Sequence, residues 1–479
     1  MARTAIYGNP ASPYRQLLAS AGCEYGDLAR MVGERGVEGA LHVLLRHGVY
    51  LTVNEFKGRR PVVRGETTIA VDPSRLRNPA SAVHLWSQTS GSRGARTPVP
   101  IDLRFVEDAT VNVLLALDAR GALDWRLGFW DVPGGTLRPL LANTKAGAPV
   151  RRWFSPVDPA APDLHARYRW SARLIRMAGQ LAGLPIPPAE HVPTHDPLPI
   201  ARWMAEVLRA GDVPLLHTYT SPAVRVCRAA GAAGLDLRGA QFTVYGEPVT
   251  RARLAEIRRV GAYAQPRYAT VDAFRVGEGC LAPDAPDDVH LQDDLHALVQ
   301  PGPGGQIPEC GANTLFLSSL RPTVSLILLN VSLGDQAVMV DRRCGCPLER
   351  FGWKTHLHTV RSFEKLTAGG MTFLDTDVIR VLEEVLPARF GGAPTDYQLV
   401  EEETAGGLPG LRLLMRPELG PADPAAVAET FLAAIGAGAG AERIMGQVWR
   451  DGQLLRVERR APLTTASGKI LHLHVGGGQ

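Results

Sequence analysis

The chain has 479 residues, of which 45% are hydrophobic and 21% are charged, with a formal net charge of +4. These values are typical of a soluble globular protein with two or three domains. No run of five or more Lys or Arg residues occurs, so the sequence does not support nucleic-acid binding. There is no apolar stretch of 18 residues and no signal-peptide hydrophobic region, which predicts a cytoplasmic protein without a membrane partner.

Strand and helix patterns alternate over the middle of the chain. Residues 1–80 combine short helical patterns with extended segments at 49–53 and 60–69. From about residue 80 to 275, strand-like runs alternate with helix-like ones, as at Gln241–Tyr245 and the helix that follows with Thr250 as its N-cap. This alternation predicts an α/β fold with a β-rich portion and helices on the faces of its sheets.

A different pattern begins after Asp335. It predicts a compact α+β unit of roughly 115 residues, a usual domain size. The predicted elements are a helix at 375–386, strands at 397–402 and 411–415, a helix at 424–435, and strands at 454–459 and 470–475.

Residues 86–98 are rich in small polar residues and lie between a predicted strand and a predicted helix, which predicts a loop. Glycines let backbone N–H groups turn toward an anion, and short hydroxyls donate without filling the space. A polar surface loop explains the same composition. Neither a P-loop nor a Gly-x-Gly-x-x-Gly motif is present, which disfavours P-loop NTPases and Rossmann dehydrogenases.

Within this loop, Thr-Ser-Gly-Ser-Arg-Gly at 89–94 resembles the phosphate loop of adenylate-forming enzymes, which include acyl-CoA synthetases and peptide-synthetase adenylation domains. The phenylacetate–CoA ligase branch is the most similar. Arg93 stands in place of a usual Thr, and its charge suits a polyanion. The resemblance implies that ATP phosphates are bound by Thr89, Ser90, Gly91, Ser92, Arg93, Gly94 and Thr97.

Two later motifs resemble the same family. Gly246-Glu247-Pro248 is similar to the family's Gly-x-Glu-Pro turn and would contact the nucleotide. Tyr268-Ala-Thr-Val-Asp272 is similar to the Tyr-Gly-x-Thr-Glu core, which implies that Tyr268 packs by the adenine and that Asp272 holds Mg²⁺. Asp272 is one methylene shorter than the usual Glu, and Mg²⁺ demands near-octahedral placement of its ligands. A plain core strand would also explain residues 268–274.

The C-terminal third supplies three more family positions. Asp335, after Gly334, would accept the ribose hydroxyls, and Arg361 would lie at the hinge between domains. Lys469, in Pro-Leu-Thr-Thr-Ala-Ser-Gly-Lys, would bridge the substrate carboxylate and the α-phosphate by electrostatics. The resemblance thus implies a large domain over 1–361 and a small mobile lid over 362–479. The pivot stays open between Phe363 and Glu364.

A cysteine and histidine set resembles a structural zinc site found in some phenylacetate–CoA ligase relatives. Cys280, His290, Cys344 and Cys346 would give three thiolates and one imidazole, a closed tetrahedral set without a catalytic position. Free thiols on a loop are the alternative. Cys310 is a reserve ligand, while Cys23 and Cys227 are predicted to be buried apolar residues.

The resemblance therefore implies ATP- and Mg²⁺-dependent activation of a small-molecule carboxylic acid as acyl-AMP. The acid would be aromatic or medium-sized and hydrophobic, with Trp130, Tyr219, Phe242 and Tyr245 as candidate pocket residues. Transfer to a thiol would follow, with coenzyme A as the default acceptor. The alternatives are a carrier protein or an amine as acceptor, activation of a non-carboxylate such as nitrite, and a degenerate nucleotide-binding regulator. A homodimer is compatible with the sequence.

Overall fold

The computed structural model describes residues 1–88, 98–158, 176–177, 180, 186–303, 307, 310–362, 375–403, 409–437, 449–450, 454–465 and 467–475. The chain divides into two units, each assembled from three segments. The first unit comprises Met1–Asp124, Leu137–Pro149 and Arg267–Val360. The second comprises Trp125–Thr136, Val150–Pro266 and Arg361–Gln479.

The α-helices of the described residues are α1 Pro13–Ser20, α2 Tyr25–Arg46, α3 Val53–Phe56, α4 Leu103–Ala119, α5 Pro133–Lys145, α6 Leu198–Arg209, α7 Thr220–Ala232, α8 Arg251–Arg258, α9 Asp375–Arg380, α10 Leu386–Phe390 and α11 Pro424–Gly436. A π-helical turn, Val381–Val385, lies between α9 and α10.

The strands are β1 Val62–Arg64, β2 Thr67–Ile69, β3 Leu85–Gln88, β4 Pro98–Ile101, β5 Arg126–Trp130, β6 Val150–Ser155, β7 Ala189–His191, β8 Pro214–Tyr219, β9 Gln241–Tyr245, β10 Tyr263–Thr270, β11 Phe274–Gly279, β12 Val289–Leu291, β13 His296–Val299, β14 Thr314–Ser319, β15 Val331–Asp341, β16 Thr355–Ser362, β17 Tyr397–Glu403, β18 Pro409–Met415, β19 Leu455–Arg459 and β20 Leu473–Val475.

The first unit is built on strands in the order β13-β14-β15-β16-β12-β11-β10. The pairs β10–β11, β11–β12, β12–β16, β13–β14 and β14–β15 are antiparallel. Apolar side chains from α1 and α2 pack with those of β11 to β15 in one core, which includes Tyr14, Leu44, Val276 and Phe316. Burying this apolar surface is the main force that holds the N-terminal helices to the strands.

The second unit contains a parallel sheet in the order β9-β8-β5-β6-β7. All six residues of β8 are buried, as expected for a parallel strand covered on both faces. Gly128 in β5 allows close packing, because a Cβ there would lie 2.7 Å from the Trp203 ring of α6. The chain runs from β5 to β6 on one side and returns to β8 on the other, which makes the β5–β8 edge a topological switch point.

The C-terminal segment of the second unit has its own sheet, in the order β19-β18-β17-β20. Its core joins helix residues such as Val378 and Phe431 to strand residues such as Leu413. The strands predicted at 397–402, 411–415 and 454–459 and the helix predicted at 424–435 are therefore confirmed to within a residue or two. The strand predicted at 470–475 is confirmed over Leu473–Val475, and the helix after 375 passes through the π-helical turn.

The structure confirms the predicted α/β fold class with a β-rich portion. Gln241–Tyr245 is a strand, and the Thr250 hydroxyl accepts a hydrogen bond from the Arg253 N–H as the N-cap of α8. The extended segment predicted at 49–53 is confirmed at Leu51, which forms a parallel β-bridge with Val331, and at the extended Thr52. It is wrong at Val53, which begins α3, where a capping box with Thr52 stabilises the first turn. Among the described residues, no helix is both long and apolar enough to cross a membrane.

Candidate active site

Part of the predicted nucleotide site lies outside the described residues. This is true of the whole phosphate loop at 89–94, of Thr97, and of both candidate pivot residues, Phe363 and Glu364. Arg361 is buried and is the second-last residue of β16, at the first position of the second unit's third segment.

Two of the predicted nucleotide residues, Tyr268 and Asp335, meet in the first unit. The Tyr268 hydroxyl donates a 2.9 Å hydrogen bond to Asp335 Oδ2. Burial and the neighbouring Asp335 carboxylate raise the pKa of Tyr268 well above its ordinary value, so the phenol stays protonated and remains a donor. Both residues lie at irregular positions, Tyr268 at a register shift of β10 and Asp335 after Gly334 inside β15.

Asp272 lies in the short loop between β10 and β11. Its two carboxylate oxygens are 3.0 and 3.2 Å from the Lys57 Nζ, and both side chains keep some solvent exposure, 11% for Asp272 and 16% for Lys57. The loop ends at Phe274, which has a positive φ of 71° and therefore carries backbone strain. Lys57 was not predicted, because nothing local marks a lysine that pairs with a residue 215 positions later.

The Gly246-Glu247-Pro248 turn follows β9 in the second unit. Gly246 has a φ of +72°, and a Cβ there would lie 2.8 Å from the Tyr219 ring and 3.0 Å from Lys469 Nζ. The Glu247 carboxylate is fully buried and accepts hydrogen bonds from the backbone N–H and the hydroxyl of Ser221 at 2.8 and 2.7 Å. It thereby neutralises the N-terminus of α7, where backbone N–H groups lack helical partners.

Lys469 is placed beside the same turn. Its Nζ lies 4.2 Å from the centroid of the Tyr219 ring, within the range of a cation–π contact. The backbone N–H of the next residue, Ile470, donates a 3.0 Å hydrogen bond to Glu247 Oε1. Two residues that the sequence placed in separate motifs, Glu247 and Lys469, are therefore brought together in this unit.

A buried carboxylate that sequence analysis missed, Asp131, lies under this group. Asp131 is 2% exposed, and its oxygens accept hydrogen bonds from the hydroxyls of Tyr219 at 2.9 Å and Tyr245 at 3.0 Å. Burial raises the pKa of Asp131, and the two tyrosines and the Lys469 charge oppose that shift without cancelling it. The sequence feature that could have indicated Asp131 is its position as a polar residue directly after an apolar strand.

These residues occupy the carboxyl edge of the parallel sheet. Asp131 follows β5, Tyr219 ends β8, and Tyr245 ends β9, with Tyr219 opposite Tyr245 in the strand register. Ligands of open α/β sheets bind at the carboxyl ends of strands next to a switch point, and β5 and β8 flank one here. The two tyrosine rings are 5.1 Å apart, so aromatic surface and a carboxylate line the same edge.

The four predicted zinc ligands converge in the first unit. The ligand atoms of Cys280, His290, Cys344 and Cys346 all lie within 4.8 Å of one another. His290 Nε2 is 3.2 Å from Cys346 Sγ and 3.6 Å from Cys344 Sγ. Tetrahedral zinc with bonds of about 2.3 Å to sulfur separates its ligand atoms by about 3.8 Å, so these spacings fit the ion.

The surroundings of His290 also suit a metal ligand. Its Nδ1 lies 2.7 Å from the Trp353 carbonyl oxygen, which requires the proton on Nδ1 and leaves Nε2 as a lone-pair donor toward the thiols. Cys280 and Cys346 are buried, and Cys344 is half-buried. Cys310 is absent from the ligand groups found among the described residues, while Cys23 and Cys227 are buried as predicted.

Comparison with known proteins gives similarity in structure only. No protein-family description matches the chain, and no curated protein matches it in sequence. A structure of 2-hydroxyisobutyryl-CoA ligase in the postadenylation state, in complex with 2-HIB-AMP, has a TM-score of 0.57 and 13% identity, covering 98% of this chain and 87% of that one. The same ligase with R3-HIB-AMP has a TM-score of 0.53 and 14% identity, covering 96% and 87%. The chain thus has the fold of an adenylate-forming ligase.

Proposed function

We propose that this protein activates a carboxylic acid with ATP as an acyl adenylate and then transfers the acyl group to a thiol, with coenzyme A as the acceptor. The observation that carries the proposal is the position of Lys469 beside the Gly246–Pro248 turn, over Tyr219 at the switch point of the sheet. An ammonium ion held next to the carboxyl ends of the strands, in a chain with this fold, is suited to neutralise charge on a carboxylate and a phosphate.

The first half-reaction is a displacement at phosphorus. A carboxylate oxygen of the substrate attacks the α-phosphorus of ATP, the bond to the bridging oxygen breaks, and pyrophosphate leaves. The enzyme supplies position and positive charge, with no covalent intermediate of its own. In the second half-reaction the acceptor thiolate attacks the acyl carbon, the bond to the phosphate oxygen breaks, and AMP leaves.

The remaining predicted residues take proposed roles in nucleotide binding. Asp335, oriented by Tyr268, accepts the ribose hydroxyls, and the loop at 89–94 with Thr97 binds the phosphates. Asp272 is the proposed ligand of Mg²⁺, which supplies charge neutralisation on the phosphates when bound. A single carboxylate with some solvent exposure suits Mg²⁺, because this ion keeps several waters and is also bound by substrate phosphates. For Mg²⁺ to bind, Lys57 must release at least one oxygen of the Asp272 carboxylate.

We also propose a boundary between two domains near Arg361 and a place in one branch of the enzymes with this fold. A small domain over 362–479, pivoting near Arg361, would move Lys469 away after adenylation so that the thiol reaches the acyl carbon. The zinc set points to the phenylacetate–CoA ligase-like branch. We propose that Cys280, His290, Cys344 and Cys346 hold a structural zinc ion, which metal analysis of the purified protein and of Cys346→Ser would test by a loss of bound zinc.

The decisive experiment is acid-dependent ATP–pyrophosphate exchange with a panel of aromatic and medium-sized hydrophobic acids. Lys469→Ala should lower exchange by about 100-fold or more, as expected for removal of a preorganised charge. Lys145→Ala, which removes a half-exposed lysine paired with Glu107, is the matched control. Exchange that survives Lys469→Ala would contradict the mechanism.

The same exchange assay, extended to other substrates and acceptors, distinguishes the possible acceptors and the alternative functions. Mass spectrometry after addition of coenzyme A, a carrier protein or an amine identifies the acyl product. Exchange with nitrite and with none of the acids would identify a non-carboxylate substrate. ATP binding without exchange on any substrate would identify a nucleotide-binding regulator.

A further inference from the structure

A buried network of charged residues in the second unit is not used by the proposed chemistry. Arg253 on α8, Glu383 in the π-helical turn and His472 before β20 are each 5% exposed or less. Arg253 Nε is 2.6 Å from Glu383 Oε1, and His472 Nε2 is 2.5 Å from the same oxygen. The Thr250 hydroxyl donates to the other oxygen, Glu383 Oε2.

The charges in this network stabilise one another strongly. Burial alone would raise the pKa of Glu383, but Arg253 and His472 outweigh it and lower that pKa to about 2. Burial likewise opposes the charge of Arg253, while Glu383 and Glu247 raise its pKa above the ordinary value. Buried ion pairs often add little net stability, and their best-attested use is to specify one geometry.

The geometry specified here is that of the loop that carries Lys469. Arg253 Nη2 donates to the Ile470 carbonyl at 3.4 Å, and Glu247 accepts from the Ile470 N–H at 3.0 Å. Both backbone groups of the residue after Lys469 are therefore bound by side chains of one cluster. Arg253 also contacts Glu247 itself at 3.5 Å, which links the two contacts.

A third side chain, on β17, holds the same loop. The fully buried Gln398 donates from Nε2 to the carbonyls of Leu463 and Leu471 at 3.1 and 2.7 Å, and its Oε1 accepts from the Leu463 N–H at 2.7 Å. Gln398 thus joins the two ends of the segment that contains Lys469. Only an amide, with donor and acceptor together, makes all three bonds.

We infer that Arg253, Glu383 and Gln398 are positioning residues, which fix the 463–471 loop so that the Lys469 ammonium is held over Tyr219 for the adenylation step. This inference rests on the proposed function of Lys469. Because the loop serves only the half-reaction that uses Lys469, a loosened loop should slow adenylation and leave acyl transfer from a preformed adenylate intact.

The test compares the two half-reactions in Glu383→Gln, Arg253→Lys and Gln398→Met. Acid-dependent pyrophosphate exchange should fall about tenfold or more in kcat with little change in KM, because a misplaced group costs transition-state stabilisation. Transfer from a synthetic acyl adenylate to coenzyme A should stay within about twofold of the wild-type rate. Arg259→Lys, at the exposed residue that follows α8, is the matched control.

A second readout is hydrogen exchange of the Ile470 amide, which should become faster in all three variants and stay unchanged in Arg259→Lys. Equal losses in both half-reactions, or an Ile470 amide as protected as in the wild type, would overturn the inference. Gln398→Met leaves the charged network intact, so it tests the loop even where Glu383→Gln does not fold. If the wild-type protein shows no pyrophosphate exchange with any acid, the proposed function is refuted. Hydrogen exchange of the Ile470 amide would still show whether these side chains hold the loop.

Discussion

Two pairs of opposite charge, one in each unit, differ in how firmly they are held. In the first unit, the Lys57 ammonium pairs with the Asp272 carboxylate, and the two side chains are 16% and 11% exposed. Arg253 and Glu383 have side chains 0% and 1% exposed, and each bonds further groups of the network. A guanidinium has five fixed donors and can serve several acceptors at once, whereas an ammonium is a mobile point charge.

The difference separates an exchangeable ion pair from a fixed one. Asp272 keeps some exposure to solvent, so a metal ion could replace its lysine partner at a smaller cost than at a fully buried pair. Removing the Arg253 guanidinium would leave the Glu383 carboxylate buried without its main partner, which costs several kcal/mol. The first pair therefore suits a site where substrate and Mg²⁺ come and go, and the second suits a part that must hold one geometry.

The largest effect is expected from Glu383→Ala, which leaves the Arg253 guanidinium buried without its main partner. The free energy of unfolding should fall by about 3–5 kcal/mol, measured by urea denaturation. Asp272→Ala should cost about 1 kcal/mol or less, because its pair is partly exposed. Equal losses in the two variants would contradict the distinction between the pairs.

The pH dependence of stability sharpens the comparison. Glu383 has a folded-state pKa of about 2, below its ordinary value of 4.5. Its contribution to stability is therefore complete above pH 4.5 and is lost as the pH falls toward 2. The difference in free energy of unfolding between wild type and Glu383→Gln should be largest near about pH 6 and should become smaller toward about pH 3. Denaturant unfolding at each pH measures this difference. A stability difference that becomes larger on acidification would contradict a lowered pKa of Glu383 in the folded state.

An intermediate effect is expected from Tyr268→Phe. Removing the hydroxyl takes one hydrogen-bond donor away from Asp335, and a hydrogen bond to a charged group contributes about 1.5–3 kcal/mol. ATP affinity, measured by isothermal titration calorimetry, should weaken by about tenfold, which corresponds to about 1.4 kcal/mol. Tyr263→Phe, at an exposed position of the same strand, should leave the affinity unchanged. Equal affinities of the two variants would argue against a role for Tyr268.

The smallest effect is expected from Lys57→Met. If Lys57 competes with Mg²⁺ for Asp272, the half-saturating Mg²⁺ concentration for pyrophosphate exchange should fall by up to about fivefold, which matches a partly exposed pair worth up to about 1 kcal/mol. Asp272→Asn should raise that concentration instead. A higher Mg²⁺ requirement in Lys57→Met would mean that the lysine assists the phosphates and does not compete with the metal.

Sequence alone could predict much of the local structure. The strand at Gln241–Tyr245, the N-cap at Thr250 and the elements of the C-terminal segment follow from periodicity and capping, which act over a few residues. The motif resemblance also named Glu247 and Lys469, which the structure brings together. Position 53 shows the limit, since a capping box turned a β-branched segment into a helix start.

The sequence by itself thus determined the fold class and the chemical types at the candidate site, because both depend on patterns that are local along the chain. The partners of those residues were decided only by the tertiary structure. Lys57 meets Asp272 across 215 positions, and Arg253 meets Glu383 across 130. A charge in a sequence has many candidate partners, and only packing, which sets distance and excludes water, selects one and decides whether the pair is fixed or exchangeable.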